Sequence, residues 1–372
     1  MLPKITHAEL PSFIKLSIET GENLLIVGKP GIGKTKGVFD FAKAYDYTVE
    51  LAHPAVEDPT NRQGFPSKAT RTVVEEPDEL DAMLGNTETK TYQEDYATFL
   101  YFGQQLRLMH AKKPTILMAD DFGQAPGAVQ AGWMQLLGSR QLNESRLPDC
   151  VHIIAATNSR EDKAGVKGLL EPVKSRFGII VELVADLDSF RDFAYAKGLP
   201  HVLTDYLNFT PGALHEWNPN IGMENSPCPR LWEKLGKYMN NLKDCENQAF
   251  IEKVCSSAIG EKHGSRFAAF CKLYKSIPRY EEIIADPDNF EINHSLDVRY
   301  AIIGLLANMG KENHSDKVFQ IIRKFAKEYQ VVFMRTISAL KSPLINTLEA
   351  KTWCAENATI YLAALQRGNT AF

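Results

Sequence analysis

The six cysteines of the chain, Cys150, Cys228, Cys245, Cys255, Cys271 and Cys354, are few and far apart, and no CxxC pair or zinc-type histidine spacing joins them. That scarcity excludes a disulfide scaffold and a cysteine-built metal finger, and it reads as reduced thiols in a cytoplasmic protein. Long apolar runs are missing too. No stretch approaches about 18 residues, and the opening MLPKITHAELPSFIKL has no apolar core behind basic residues, so neither a membrane span nor an export leader is expected. Nor does one sign of charge dominate. With 42 Lys and Arg against 46 Asp and Glu, the net charge of -4 and pI near 6.2 give no global attraction to a polyanion, although a local basic groove can sit inside an acidic total. Nucleic acid is therefore not the default partner. No internal repeat and no low-complexity linker is present. What remains, 372 residues of which 44% are hydrophobic and 24% charged, suits two or three ordinary globular domains.

Short apolar runs alternate with longer mixed segments in the first half, the pattern of parallel strands joined by helical crossovers. The candidate strands are NLLIVG (23 to 28), YTVELA (47 to 52), TILMAD (115 to 120), VHIIAAT (151 to 157) and GIIVEL (178 to 183), each apolar nearly throughout, as strands covered on both faces should be. Val129, Trp133, Leu136 and Leu137 recur at helical spacing in PGAVQAGWMQLLG, a helix opened by Pro126. Beyond residue 186 the strand signal stops and the chain reads as helices separated by Pro, Gly and Asn clusters such as HEWNPNIGMENSPCP. Leu231, Leu235, Tyr238 and Met239 share one helical face. The expected organisation is an α/β domain over 1–186 built on a five-stranded parallel sheet, a helical lid over 187–243 and a helical extension over 244–372. Residues 66–95 are acidic and turn-rich, and they read as a solvated loop and helix inserted at the surface.

GKPGIGKT, residues 28 to 35, follows a strand and opens a helix whose apolar side includes Val38, Phe41 and Ala42. Gly28, Gly33, Lys34 and Thr35 stand at the spacing of a phosphate-binding loop, in which glycines let backbone N–H groups turn inward at a helix N-terminus that favours anions. The loop contributes Pro30, Gly31 and Ile32 as well, and Lys36 follows it into the helix. Lys34 is the candidate to neutralise the β and γ phosphates of ATP, and the Thr35 hydroxyl the candidate ligand for Mg2+. TILMAD delivers Asp120 to the carboxyl end of a buried strand beside this loop, so Asp120 is the candidate for the magnesium shell and Asp121 the candidate to activate water. Two helix-capping carboxylates ahead of PGAVQ are the competing explanation. Asn158, at the tip of VHIIAATN, can position water against the γ phosphate. Arg176, just ahead of the last strand, lies away from its own phosphate loop and would serve a neighbouring subunit, which requires an oligomer. A turn cap for Asn158 and a surface ion pair for Arg176 are the plainer alternatives.

With these residues in view, the chain resembles AAA+ ATPases, and among them the MoxR-like branch of bacteria and phages. GKPGIGKT is similar to Walker A, LMADD to Walker B, AATN to the sensor 1 strand, and LLEPVKSRF to the box carrying the arginine finger. SPCPRLWEKL, with Arg230 after Pro229, resembles sensor 2. The resemblance covers roughly residues 5 to 243. It implies a homo-oligomeric ring, commonly a hexamer, with Arg230 touching the γ phosphate of its own subunit, and Arg140 and Arg146 at an interface or plain surface. It also implies slow ATP hydrolysis coupled to chaperone-like remodelling of a protein client, typically one with a von Willebrand factor A domain, in the cytoplasm of a bacterial or phage-infected cell. A nucleotide-gated scaffold with little turnover and a DNA-associated motor are the competing functions. Asp121 stands where AAA+ enzymes at large place Glu, a loss of about 1.5 Å of reach. The phage-like branch carries an Asp-Asp pair there too. AVEDPTNRQGFPSKA, residues 55 to 69, occupies the position of a central-pore loop. Arg62 and Phe65 would grip a client there, or Phe65 would be a buried aromatic in an ordinary turn, the reading preferred.

Overall fold

The computed structural model describes residues 2–75, 89–159, 168–218, 222–242, 245–292 and 295–368. Its centre is a six-stranded sheet, made by β1 (Lys4–Ile5), β2 (Leu24–Val27), β3 (Thr48–Ala52), β6 (Thr115–Ala119), β9 (Val151–Thr157) and β10 (Ile179–Leu183). The order across the sheet is β1-β10-β2-β9-β6-β3, and every neighbouring pair is parallel. One strand more than expected is present: the two residues of β1 are too few to leave a pattern, yet they extend the sheet by pairing Lys4 with Glu182 and Ile5 with Leu183.

The apolar strands are explained by what covers them. Leu24 and Ile26, Ile116 and Met118, Ile154 and Ala156 face one core with α1 (Leu10–Thr20) and α2 (Lys34–Ala44). Their alternates Leu25, Leu117, Ala119, Ile153 and Ala155 face a second core on the other side. That second core holds Val129, Trp133, Leu136 and Leu137 of the helix Gly127–Ser139, for which Pro126 is the N-cap. A strand with helices on both faces has no polar face, so periodicity alone gives a continuous apolar run. β3 is one edge, opposite β1, and it is correspondingly only half buried.

The acidic insertion is a β-ribbon and not a loop and helix. β4 (Phe65–Glu75) and β5 (Lys90–Leu100) pair antiparallel in register from Phe65 with Leu100 to Glu75 with Lys90. Two of its acidic residues have cross-strand partners: Lys68 pairs with Asp95 at 2.7 Å and Arg71 with Glu94 at 2.7 Å. Threonines in both arms, valines in β4 and tyrosines in β5 favour strands, and the cross-strand charges support the register. The rest of the insertion, 76–88, lies outside the described residues. The strands β7 (Gln141–Leu142) and β8 (Ser145–Arg146) form the small hairpin after the Gly127–Ser139 helix.

Among the described residues, and leaving aside the one-turn helices Thr60–Gln63 and Glu171–Lys174, the remaining helices in chain order are α3 (Gly103–Met109), α4 (Gly127–Ser139), α5 (Leu187–Ala196), α6 (His201–Phe209), α7 (Pro229–Asn241), α8 (Gln248–Ile259), α9 (Glu261–Ser276), α10 (Tyr280–Ala285), α11 (Leu296–Met309), α12 (Ser315–Lys324), α13 (Lys327–Ala339), α14 (Leu348–Glu356) and α15 (Ala358–Gly368). One core joins α5, α6 and α7 to α8 and α9, where Tyr206, Trp232 and Phe267 meet with ring centroids 5.3 to 5.8 Å apart. A further core is built from α10 to α14. On α7 the inward residues are Trp232 and Leu235, with Leu231 and Met239 partly buried; Tyr238 is 46% exposed and leaves the face assigned to it from spacing. Among the described residues no helix is long and apolar enough to cross a membrane. A parallel sheet flanked by helices, followed by a helical C-terminal region, is the α/β architecture expected from the sequence.

Candidate functional site

Residues 28–33 turn from the end of β2 into α2. Gly31 and Gly33 take φ of 75° and 98°, the left-handed region that side chains resist. A Cβ on Gly31 would stand 2.4 Å from Cys228 Sγ, so glycine is also demanded by the approach of the segment before α7. No side chain caps α2, whose N-cap is Gly33, and its first backbone N–H groups face the turn as an anion-binding end.

Lys34 is buried, and its Nζ donates to Gly28 O at 2.7 Å, Lys29 O at 3.1 Å and Asn158 Oδ1 at 2.6 Å. The ammonium thus lies within the curl of the loop. Thr35 Oγ1 donates to Asp120 Oδ2 at 2.7 Å, linking the first turn of α2 to the end of β6. Asp121 follows with φ 53°, and its N–H donates to Asp120 Oδ1 at 3.1 Å. Asn158 Nδ2 lies 3.4 Å from Asp121 Oδ1, so Asn158 stands between Lys34 and Asp121. Neither aspartate caps α4, which begins without a side-chain cap. Burial, and then the charge of Asp120, push the Asp121 carboxyl above the ordinary aspartate value, against the opposing charges of Lys34, His53 and Arg230.

A cavity of about 890 Å3 joins these residues. Its polar part holds Lys34, Thr35, Asp120, Asp121 and Asn158; Leu10, Pro11, Phe41, Tyr45, Phe190 and Phe193 supply apolar walls. That division suits a flat apolar ring joined to a polyanion. Lys36 lines the cavity with its Nζ 2.5 Å from Asp40 and 5.8 Å from the Phe193 ring centroid. Pro229 and Arg230 close another side, and the Arg230 N–H donates to Gly31 O at 3.1 Å. Two oxygen donors, Thr35 and Asp120, sit together at the polar end. Among the described residues no cluster of three or more His, Cys, Asp or Glu suits a metal, so a hard cation at Thr35 and Asp120 would complete its shell from phosphate oxygens and water, as Mg2+ does.

Arg176 does not join this group. It lies outside the cavity, with its guanidinium donating to Pro172 O and its carbonyl accepting from Asn23 Nδ2 at 2.8 Å. Arg140 is half buried and bonds Pro148 O at 3.0 Å and Val151 O at 2.6 Å, whereas Arg146 is exposed with Asp149 3.8 Å away. The gripping role considered for Arg62 is overturned. Arg62 is 3% exposed, paired to Glu57, bonded to Gln104 at 2.9 Å and 4.3 Å from the Trp133 ring centroid. Phe65 is 50% exposed at the root of the ribbon, with Phe102 at a centroid distance of 5.9 Å, so the buried-aromatic reading fails as well. Burial of a guanidinium is set by partners distant in sequence, which spacing does not display.

Several residues in the cavity or beside it carried no signal. His7, whose Nε2 lies 2.6 Å from Ile32 O, comes from the segment before α1; His215, 3.4 Å from Pro30 O, and Trp217 come from the stretch between α6 and α7. Only the tertiary fold brings them to the phosphate loop.

No family model matches the chain, and no curated protein matches it. Among solved structures it is similar to the RuvB Holliday junction branch migration motor of Thermotoga maritima, at 12% identity over 94% of this chain and 86% of that one, with a TM-score of 0.32. It is similar to NtrX from Brucella abortus in complex with ATP, at 11% identity over 99% and 68% of the two chains, TM-score 0.39. A third is the replication initiator DnaA bound to AMPPCP and single-stranded DNA, at 14% identity over 96% and 93%, TM-score 0.33.

Proposed function

We propose that this chain is a magnesium-dependent ATPase that works in an oligomeric ring and remodels a partner protein. The observation that carries the reading is the line Lys34–Asn158–Asp121 beside the Thr35–Asp120 pair, all in one cavity with an uncapped helix N-terminus. Incoming phosphates would take the Lys34 ammonium from the Gly28 and Lys29 carbonyls, replacing neutral acceptors by charged ones. Mg2+ held by Thr35 and Asp120 would supply charge neutralisation at the phosphates. Asp121 would accept the proton of the attacking water while Asn158 orients that water. The oxygen of the water then bonds to the γ phosphorus, and the bond from phosphorus to the bridging oxygen breaks, leaving ADP and phosphate. A carboxyl raised by burial is a better base than an exposed one, once ionised. Asp121 is nonetheless short, and turnover is expected to be slow.

Arg230 would act within its own subunit. Arg176, which stands off from the cavity, would reach the site of a neighbour, and this is the reason for proposing a ring, hexameric as in the relatives the motifs resemble. A protein client, with the von Willebrand factor A domain class first to be tried, suits the exposed ribbon better than nucleic acid does: its basic residues Lys68 and Arg71 are already neutralised by Asp95 and Glu94. The test is phosphate release from ATP with and without magnesium. Wild type should release phosphate only with the metal, and Lys34→Ala should not; equal release by both would remove the reading. A mixture of Arg176→Ala and Lys34→Ala subunits should recover activity above either parent, and failure to do so would remove the in-trans role.

A further inference from the structure

The four tryptophans of the chain divide three to one. Trp133, Trp232 and Trp353 are fully buried, each in a different core, whereas Trp217 lines the cavity of the phosphate loop. Its segment, 215–218, is pinned from two sides. Toward the loop, His215 Nε2 lies 3.4 Å from Pro30 O. Toward the helices beyond residue 245, Glu216 accepts from Lys262 Nζ at 2.5 Å with one oxygen, and its other oxygen lies 2.6 Å from His263 Nε2. His263 is buried on α9, so the second contact is made to a fixed post and not to a mobile surface side chain. The hydrogen bonds from Lys262 and His263 hold the Glu216 carboxyl below its ordinary value. The Glu216 N–H donates to Pro227 O at 3.1 Å, and the Asn218 N–H to Ser226 Oγ at 3.1 Å, which sets the segment against the residues leading into Arg230.

A plain connection between α6 and α7 would need none of the contacts to α9, and would gain nothing from an indole at the cavity wall. An indole offers a flat apolar face and a single N–H donor, and such groups bind best when held in place before the ligand arrives. We propose that Trp217 is a positioning residue for the bound nucleoside triphosphate, and that Glu216, anchored by Lys262 and His263, fixes it, so that α9 sets nucleotide affinity. This rests on the nucleotide reading above. It gives the region after residue 245 a task at the site that its sequence does not disclose.

The experiment measures binding of a fluorescent ATP analogue to the full chain, together with tryptophan emission and the thermal midpoint. Trp217→Ala should weaken binding on the order of 10-fold, and Trp217→Phe should restore most of it. Glu216→Ala should weaken binding several-fold, and Glu216→Gln, which can still accept from Lys262 and His263, should restore most of it. ATP should alter the emission of the wild type, and Trp217→Phe should remove that change, because the other three indoles are buried. Binding by Trp217→Ala and Glu216→Ala equal to wild type, while Lys34→Ala fails to bind, would overturn this proposal and leave the nucleotide reading standing. Failure of the wild type to bind at all would overturn both.

Discussion

The phosphate loop and the β4–β5 ribbon are only about thirty residues apart in sequence, yet they are held in opposite ways. The loop and the acidic turn hang from strands covered on both faces, and their polar groups bond one another across long stretches of chain, as Lys34 does with Asn158 and Thr35 with Asp120. The ribbon is held by its own cross-strand pairs and leaves Tyr92, Tyr96 and Leu100 exposed. The first arrangement places charges within a hydrogen bond of one another, which is what the proposed catalysis by prearranged dipoles needs. The second leaves a surface free to meet a partner, with little of the fold depending on it. Substitutions should therefore be severe in the loop, structural at the junction of the two regions, and mild along the ribbon.

The largest effect is expected at Lys34. Lys34→Ala should remove magnesium-dependent phosphate release altogether, measured as turnover per subunit, and turnover near the wild-type rate would break the contrast at its strong end. Next is Asp121→Ala, which should still bind ATP but lose turnover by about a hundredfold or more. The same residue sets an acid limit. Because burial is the largest cause raising its carboxyl, and the push from Asp120 is offset when that residue holds a cation, the rate should fall on acidification at a pH above that of an ordinary exposed aspartate, as protonation removes the base. A rate profile flat through that range would show that Asp121 is not the group that ionises.

At the junction, Arg62→Ala leaves Glu57 buried beside Trp133 without its partner, and a loss of about 3–5 kcal/mol in denaturant unfolding is expected. An unchanged midpoint would mean that the root of the ribbon is less firmly built than its contacts indicate. Smallest of all, Arg71→Ala removes an exposed cross-strand pair, and both the unfolding midpoint and the basal phosphate release should stay as in wild type.

Much of the strong end could be read from the sequence. Apolar strands ending in Gly28, Asp120 and Asn158 carry their chemistry at the tip, and the periodicity that marks a strand also marks where it stops. The ribbon could not be read in this way. Residues 66–95 read as a solvated loop and helix, because the bases that pair with Glu94 and Asp95 stand on the opposite strand, twenty-three residues away for Arg71 and Glu94. Arg62 was misplaced for a related reason, since Glu57, Gln104 and Trp133 surround it only in the folded chain. His7 and Trp217 reach the cavity, and His215 the loop beside it, from connecting segments, where neither spacing nor residue type announces a site.

The most direct test is a single-turnover measurement with labelled ATP and magnesium, in which binding and phosphate release are followed separately for wild type and Asp121→Ala. Expected are similar binding in both, slow release by wild type and release at least about a hundredfold slower in the variant. Equal release rates would contradict the placement of the hydrolytic base at the tip of β6.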